Sequence, residues 1–175
     1  TDLTGADFSG SNLEEAHLSS TILVDAILTD ADLRLVDWSG YDLRGADLSN
    51  ADLSGAILAG ADLMGADLRG TSLVGADLAE SDLTGSDLRE ADLSSAVLTD
   101  ATLVDAVVSG TLMVGALLIR ADLRGVDLES VNLRGASITT DELLADSAIG
   151  VRLEGLGWAG MDLQGHDFSG QDLSG

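Results

Sequence analysis

Carboxylates are the chemistry this chain has most of. Asp and Glu number 31 against eight arginines and no lysine, a formal net charge of −23 over 175 residues. Closely spaced carboxylates can do general acid–base work or hold a hard cation such as calcium, which prefers oxygen ligands. Other reactive groups are scarce. The absence of cysteine excludes disulfides, thiolate nucleophiles and Cys-bearing zinc or iron–sulfur centres. A Ser or Thr nucleophile needs a base within reach, and the two histidines, His17 and His166, stand near opposite ends of the chain. No phosphate-binding loop or dinucleotide fingerprint occurs. The expectation is a non-enzymatic protein with no cofactor and no metal. Its negative field repels phosphates, so the expected partner is another protein, with no direct contact to nucleic acid or membrane. At 45% hydrophobic the chain is too apolar for a disordered acidic tail, and no run nears the roughly 18 apolar residues of a spanning helix. Its first residues lack a basic n-region and a signal-like apolar core, which favours the cytoplasm.

What must position the carboxylates is an internal repeat of five. Of the 35 positions leaving remainder 3 on division by five, 27 are Leu; the rest include Phe8, Trp38, Met113 and Trp158. Remainder-1 positions are Ala, Ser, Thr or Val in 28 of 35 cases, remainder-2 positions are Asp 18 times, and 20 of 21 glycines fall at multiples of five. A period of five fits neither the 3.6 of a helix nor the 2 of a flat strand, so the chain must bend regularly. In Ala61-Asp62-Leu63-Met64-Gly65 the first and third residues point inward and the second outward. A turn at the glycine, which tolerates φ > 0, then keeps every Leu facing one interior. No unit buries its Leu alone, so neighbouring coils stabilise one another. Trp38 and Trp158 stand at Leu positions and read as core, while Tyr41, at a small position, predicts a local bulge or an outward swing.

Stretches such as Ala46-Asp47-Leu48-Ser49-Asn50-Ala51-Asp52-Leu53-Ser54-Gly55 resemble the pentapeptide-repeat family, whose unit is A-(D/N)-L-x-x. The resemblance runs over residues 1–138 and returns more loosely over 151–175. It implies an all-β, right-handed quadrilateral parallel β-helix with one pentad per side and 20 residues per coil. Stacked at about 4.8 Å, the 35 pentads would make a rod of about 42 Å. Columns such as Asp42, Asp62 and Asp82 would then repel by roughly 1 kcal/mol per pair in water, unless a cation or a nearby Arg intervenes.

Departures from this grammar are where function should be written. At Thr139 to Ala148 the small inward positions become Asp141 and Asp146, and Thr139 with Glu142 forms a capping-box pattern. This predicts a short helix over about 140–148 within an excursion at 139–150, with Leu143, Leu144 and Ala148 as an apolar stripe that covers the core or docks a partner. The terminal repeats over 151–175 are expected to be irregular. In the coil 101–120, outward positions become Val104, Val107, Leu112, Val114, Leu117 and Ile119, with Val97 stacked beside Leu117. Such a patch predicts a partner interface, including a homodimer contact; Ile22, Val24 and Ile27 form a smaller group. The third departure is acid the repeat does not call for: Glu14, Glu15, Asp25, Asp30, Glu80, Glu90, Asp100 and Asp105. About 42 Å of B-form DNA carries roughly 25 negative charges, close to this chain's total. The resemblance implies a matching alternative, since quinolone-resistance members of the family imitate DNA at the DNA site of gyrase. The expected function is a protein-interaction scaffold or module; the alternative is an acidic DNA mimic that inhibits or protects DNA gyrase or topoisomerase.

Overall fold

Five residues per repeat leave five backbone N–H groups to satisfy, and the way they are satisfied builds the fold. The computed structural model describes residues 1–16, 21–128 and 130–138. Around the central pentad 61–65, Asp62 N–H donates back to Tyr41 O (2.9 Å), while Leu63 and Gly65 N–H donate forward to Asp82 O (2.7 Å) and Thr84 O (2.9 Å). Ala66 N–H closes the turn onto Leu63 O (3.0 Å), and Met64 N–H meets the Asp62 carboxylate (3.2 Å). The repeat's Asp is thus the acceptor for the one N–H that no backbone carbonyl reaches.

The pairing is parallel, with partners 20 residues apart, so four pentads make one coil. Second positions stack in four columns: Asp42, Asp62, Asp82 on the first side; Asp47, Asp67, Asp87 on the second; Asp52, Ser72, Asp92 on the third; Ile57, Asp77, Val97 on the fourth. Most contacts are single bridges. Two-residue strands occur at Leu117–Leu118 (β1) and Ser137–Ile138 (β2), paired in parallel as Leu117↔Ser137 and Leu118↔Ile138. The architecture is a right-handed quadrilateral β-helix.

Inside the rod, Leu43, Leu63 and Leu83 are fully buried, as are Ala46, Ala61 and Ala76. Each such Leu contributes about 1.5–3 kcal/mol before chain-ordering entropy is subtracted. Leu3, Phe8 and Leu13 are only partly buried. Trp38 is wholly buried, as its Leu position requires. Tyr41 makes no bulge: the ladder runs through it, and its half-buried ring stacks on Trp38 with centroids 6.1 Å apart. The ring is large for a small slot, and stacking settles it at the rim without interrupting the pairing.

Hydroxyls in the small column are accommodated by back-bonding. Ser81 Oγ donates to Leu78 O and Thr111 Oγ1 to Leu88 O, each at 2.7 Å. Ser86 Oγ is buried and finds no partner among the described residues. A buried unmet hydroxyl costs about 1–3 kcal/mol, and Ala occupies the same column at Ala66 and Ala106. Ser86→Ala is therefore expected to raise the unfolding free energy by about 1 kcal/mol in urea denaturation. Ser81→Ala, which loses a made bond, should not.

Each turn places its fifth residue at φ > 0, the mark of a type II turn. Glycine fills most such places, yet eleven described residues that are not glycine adopt the same conformation, from Glu15 (φ 56°) to Arg120 (φ 58°). Where a glycine follows 20 residues on, the side chain reaches over it, as Asp25, Leu35, Asn50 and Asp105 do over Gly45, Gly55, Gly70 and Gly125. A Cβ at Gly45 would lie 2.4 Å from Asp25 Oδ1, and one at Gly125 would lie 2.1 Å from Asp105 Oδ1. No helix occurs among the described residues; the helix expected over 140–148, with Leu143, Leu144 and Ala148, lies outside them, as do the terminal repeats 151–175.

Candidate protein-interaction face

The second-position carboxylates are engaged by the fold. Asp47 and Asp52 each accept an N–H and a hydroxyl, from Ser49 and Ser54. Where the fourth residue is Arg, the guanidinium turns back: Arg44 lies 2.7 Å from Asp42 and 3.5 Å from Asp62, and Arg69 lies 2.5 Å from Asp67 and 3.8 Å from Asp87. The like charges 20 residues apart are bridged by arginine. Hydrogen bonds from Arg34, Arg44, Arg89 and Arg124 hold the carboxyls of Asp32, Asp42, Asp87 and Asp122 below the usual carboxylate range. The Thr4 and Ser9 hydroxyls do the same for Asp2 and Asp7. Among the described residues no three acidic or histidine side chains gather as a metal site would require. A groove of about 370 Å³ lies between Ser49, Arg69, Arg89 and Asn50, Gly70, Glu90, but both its guanidinium groups are held by Asp67 and Asp87. Neither His nor Cys lines it.

The additional acids occupy a different place from the one their sequence pattern suggested. Glu15, Asp25, Asp30, Glu80, Glu90, Asp100 and Asp105 all sit at the φ > 0 turn residue, on the corners of the coil, and Glu14 immediately precedes one. They are distributed over all four corners: Asp25 and Asp105 on one, Asp30 and Glu90 on the next, Glu15 on the third, Glu80 and Asp100 on the fourth. Asp100 is paired with Arg120 of the following coil. These acids do not share one surface.

The aliphatic residues divide similarly. Val104 is half-buried on the first side and Val107 lies on the second, 47% exposed. Leu112 and Val114 lie on the third side; Leu117 and Ile119 lie on the fourth. Leu112, Val114 and Leu117 flank the corner at Gly115, while Ile119 lies at the far end of the fourth side, in the turn with Arg120. Val97 stacks beside Leu117, and Ile57 continues that column beyond Asp77. Sequence reasoning missed two contributors to the same edge: Leu35, exposed at the corner over Gly55, and Val74, exposed on the third side. Folding the sequence at 20 residues, instead of five, is the signal that finds them. From Ala51 to Ile119 the third and fourth sides carry no arginine, and the corner between them is Gly55, Gly75, Ser95 and Gly115. The result is an arginine-free edge of aliphatic side chains, interrupted by Asp77, on an acidic rod.

Known proteins share this architecture. The sequence profile described as Pentapeptide repeats, in eight copies, matches residues 1–40, 39–70, 61–100, 71–110 and 101–139. Rfr23, a pentapeptide repeat protein from the cyanobacterium Cyanothece 51142, is 37% identical with a TM-score of 0.50, over 51% of this chain and 61% of its own. The chain therefore spans less than two thirds of that protein. Two trypsin-treated variants of QnrB1, a plasmid-mediated fluoroquinolone resistance protein, are 25% and 26% identical. Both superpose with a TM-score of 0.61 over 89% of this chain and 76% and 75% of theirs. No curated protein sequence matches. With the repeat profile covering most of its length and the 20-residue coil built from the same unit, the chain belongs to the pentapeptide-repeat family.

Proposed function

We propose that the chain is a non-enzymatic interaction module that binds another protein through the aliphatic edge between its third and fourth sides. The observation that carries this reading is the loss of Asp at Ile57, Val97, Leu112 and Leu117. At each, the fold gives up the carboxylate that would accept a turn N–H and gains an exposed or half-exposed aliphatic side chain instead. Scaffold demands do not explain that exchange, and apolar patches on a charged surface mark interaction sites. The test is capture from a lysate on the immobilised chain, with Leu117→Glu plus Ile119→Glu as comparison. Bound partner should drop at least tenfold in the double variant and persist at high salt; identical capture by both forms would defeat the proposal.

The likeness to QnrB1 favours one second reading, charge mimicry of DNA at gyrase or topoisomerase. The corner acids, which no arginine neutralises at Glu80 or Glu90 in the ion pairs above, would carry it. Inhibition of gyrase supercoiling near enzyme stoichiometry, weakened by salt and by Glu80→Gln with Glu90→Gln, would favour mimicry over apolar docking.

A further inference from the structure

We infer that the occupant of this aliphatic edge is an amphipathic helix with an aliphatic stripe flanked by Lys or Arg, lying along the rod. The inference rests on the interaction reading above and names the partner's chemistry. Four features of the edge point to it. Ile57 and Leu117 are each 41% exposed on one column with Val97 between them, and Val74 and Leu112 face out from the adjoining side. At Gly75 the corner between the two sides is bare backbone: a Cβ there would meet nothing within 4 Å, so a partner can approach closely.

The third feature is spacing. Coils repeat at about 4.8 Å along the rod, and a helix advances about 5.4 Å per turn. Over the three steps from Ile57 to Leu117 the mismatch grows to only about 2 Å, so three helical turns stay seated between successive side-chain ridges. That length, about 14 Å, corresponds to roughly 10 helical residues presenting apolar side chains at i, i+4 and i+7.

The fourth is charge. Asp77 stands within the fourth-side column, Asp52 and Asp92 share the third-side column with Leu112, and Glu80 lines the border with the first side, where Arg120 beyond Ile119 is paired with Asp100. A helix bearing basic residues beside its stripe answers these carboxylates. A second copy of this chain would bring the same carboxylates against them, on a net charge of −23 per copy.

The experiment uses the full chain and a fluorescein-labelled 14-residue Leu/Lys peptide patterned as an amphipathic helix, read by anisotropy at 0.15 M and 0.5 M salt. Saturable binding is expected, weakened at least tenfold by Ile57→Glu plus Leu117→Glu and less than twofold by Val104→Glu plus Val107→Glu on the other sides. Both variants add acid, so a purely electrostatic complex would strengthen in both, which would overturn the inference. Equal binding of a scrambled Leu/Lys peptide, or self-association that Leu117→Glu abolishes, would also overturn it. Emission from the apolar dye ANS separates this failure from failure of the interaction reading. If ANS binds and is lost on Leu117→Glu while the peptide does not bind, the helix is wrong and the apolar edge stands. Unchanged urea midpoints in the variants show that each remains folded.

Discussion

Leu63→Ala is expected to lower the unfolding free energy by about 2–5 kcal/mol, whereas Leu3→Ala, in the same axial column, should cost less than about 1.5 kcal/mol. Leu63 is wholly buried between Leu43 and Leu83, with Ala61 and Ala66 beside it. Shortening it removes transfer energy and leaves a cavity that backbone ladders on all four sides prevent from collapsing. Leu3 is only partly buried. In a solenoid, stability is close to a sum of nearest-neighbour terms, so a defect at a side chain packed between two coils weakens two interfaces. Urea denaturation followed by far-ultraviolet circular dichroism measures both costs. Equal losses at the two positions would show that burial along the axis does not set the stability.

Much of this fold is legible in the sequence because each of the five positions has one task. Leu at the third position and small residues at the first fill the axis, and Gly at the fifth allows the turn; all three follow from residue type. The number of sides does not follow from a period of five. It came from the family resemblance, and the pairing of residues 20 apart carries it in the structure. Two local readings are refined by the structure. Tyr41 was too large for its slot by volume alone, but Trp38 next to it supplies a stacking partner that removes the need for a bulge. The acids at Asp25, Asp30, Asp100 and Asp105 looked free of structural duty because glycine usually stands there. Aspartate tolerates a left-handed backbone better than most residues, and each of these adopts it, so they double as turn residues. Residue-by-residue reading also treated the coil 101–120 as one patch. Four sides point four ways, and only those flanking Gly115 meet. Leu35 and Val74 join them from other coils, a neighbourhood that exists only once the coil length is known.

The same accounting makes acid the condition that should unfold this protein. Its urea midpoint is expected to stay level or rise from pH 8 to pH 5, then fall between pH 4 and pH 2. Asp32, Asp42, Asp87 and Asp122 have folded-state pKa values lowered by hydrogen bonds from Arg34, Arg44, Arg89 and Arg124. A lowered folded pKa contributes stability that is fully present above the unfolded value of about 3.9 and is lost as pH falls through the folded value. The opposing effect is repulsion among 31 acids, which weakens as pH falls towards the isoelectric point near 4.1. The two effects separate there. Above pH 4.1, protonation relieves repulsion; below it the net charge turns positive and the carboxylates held by arginine are the last to be protonated, so the loss there reports the carboxylate bonds. Replacing these four Asp with Asn supplies the control. Asn12 and Asn132 already accept the N–H of Glu14 and Arg134 in the Asp position, so the turn geometry survives without the charge. The four-Asn variant should have a flatter acid limb and a lower midpoint at pH 7. An acid limb as steep as that of the parent would place the pH dependence elsewhere than in the repeat's Asp–Arg pairs.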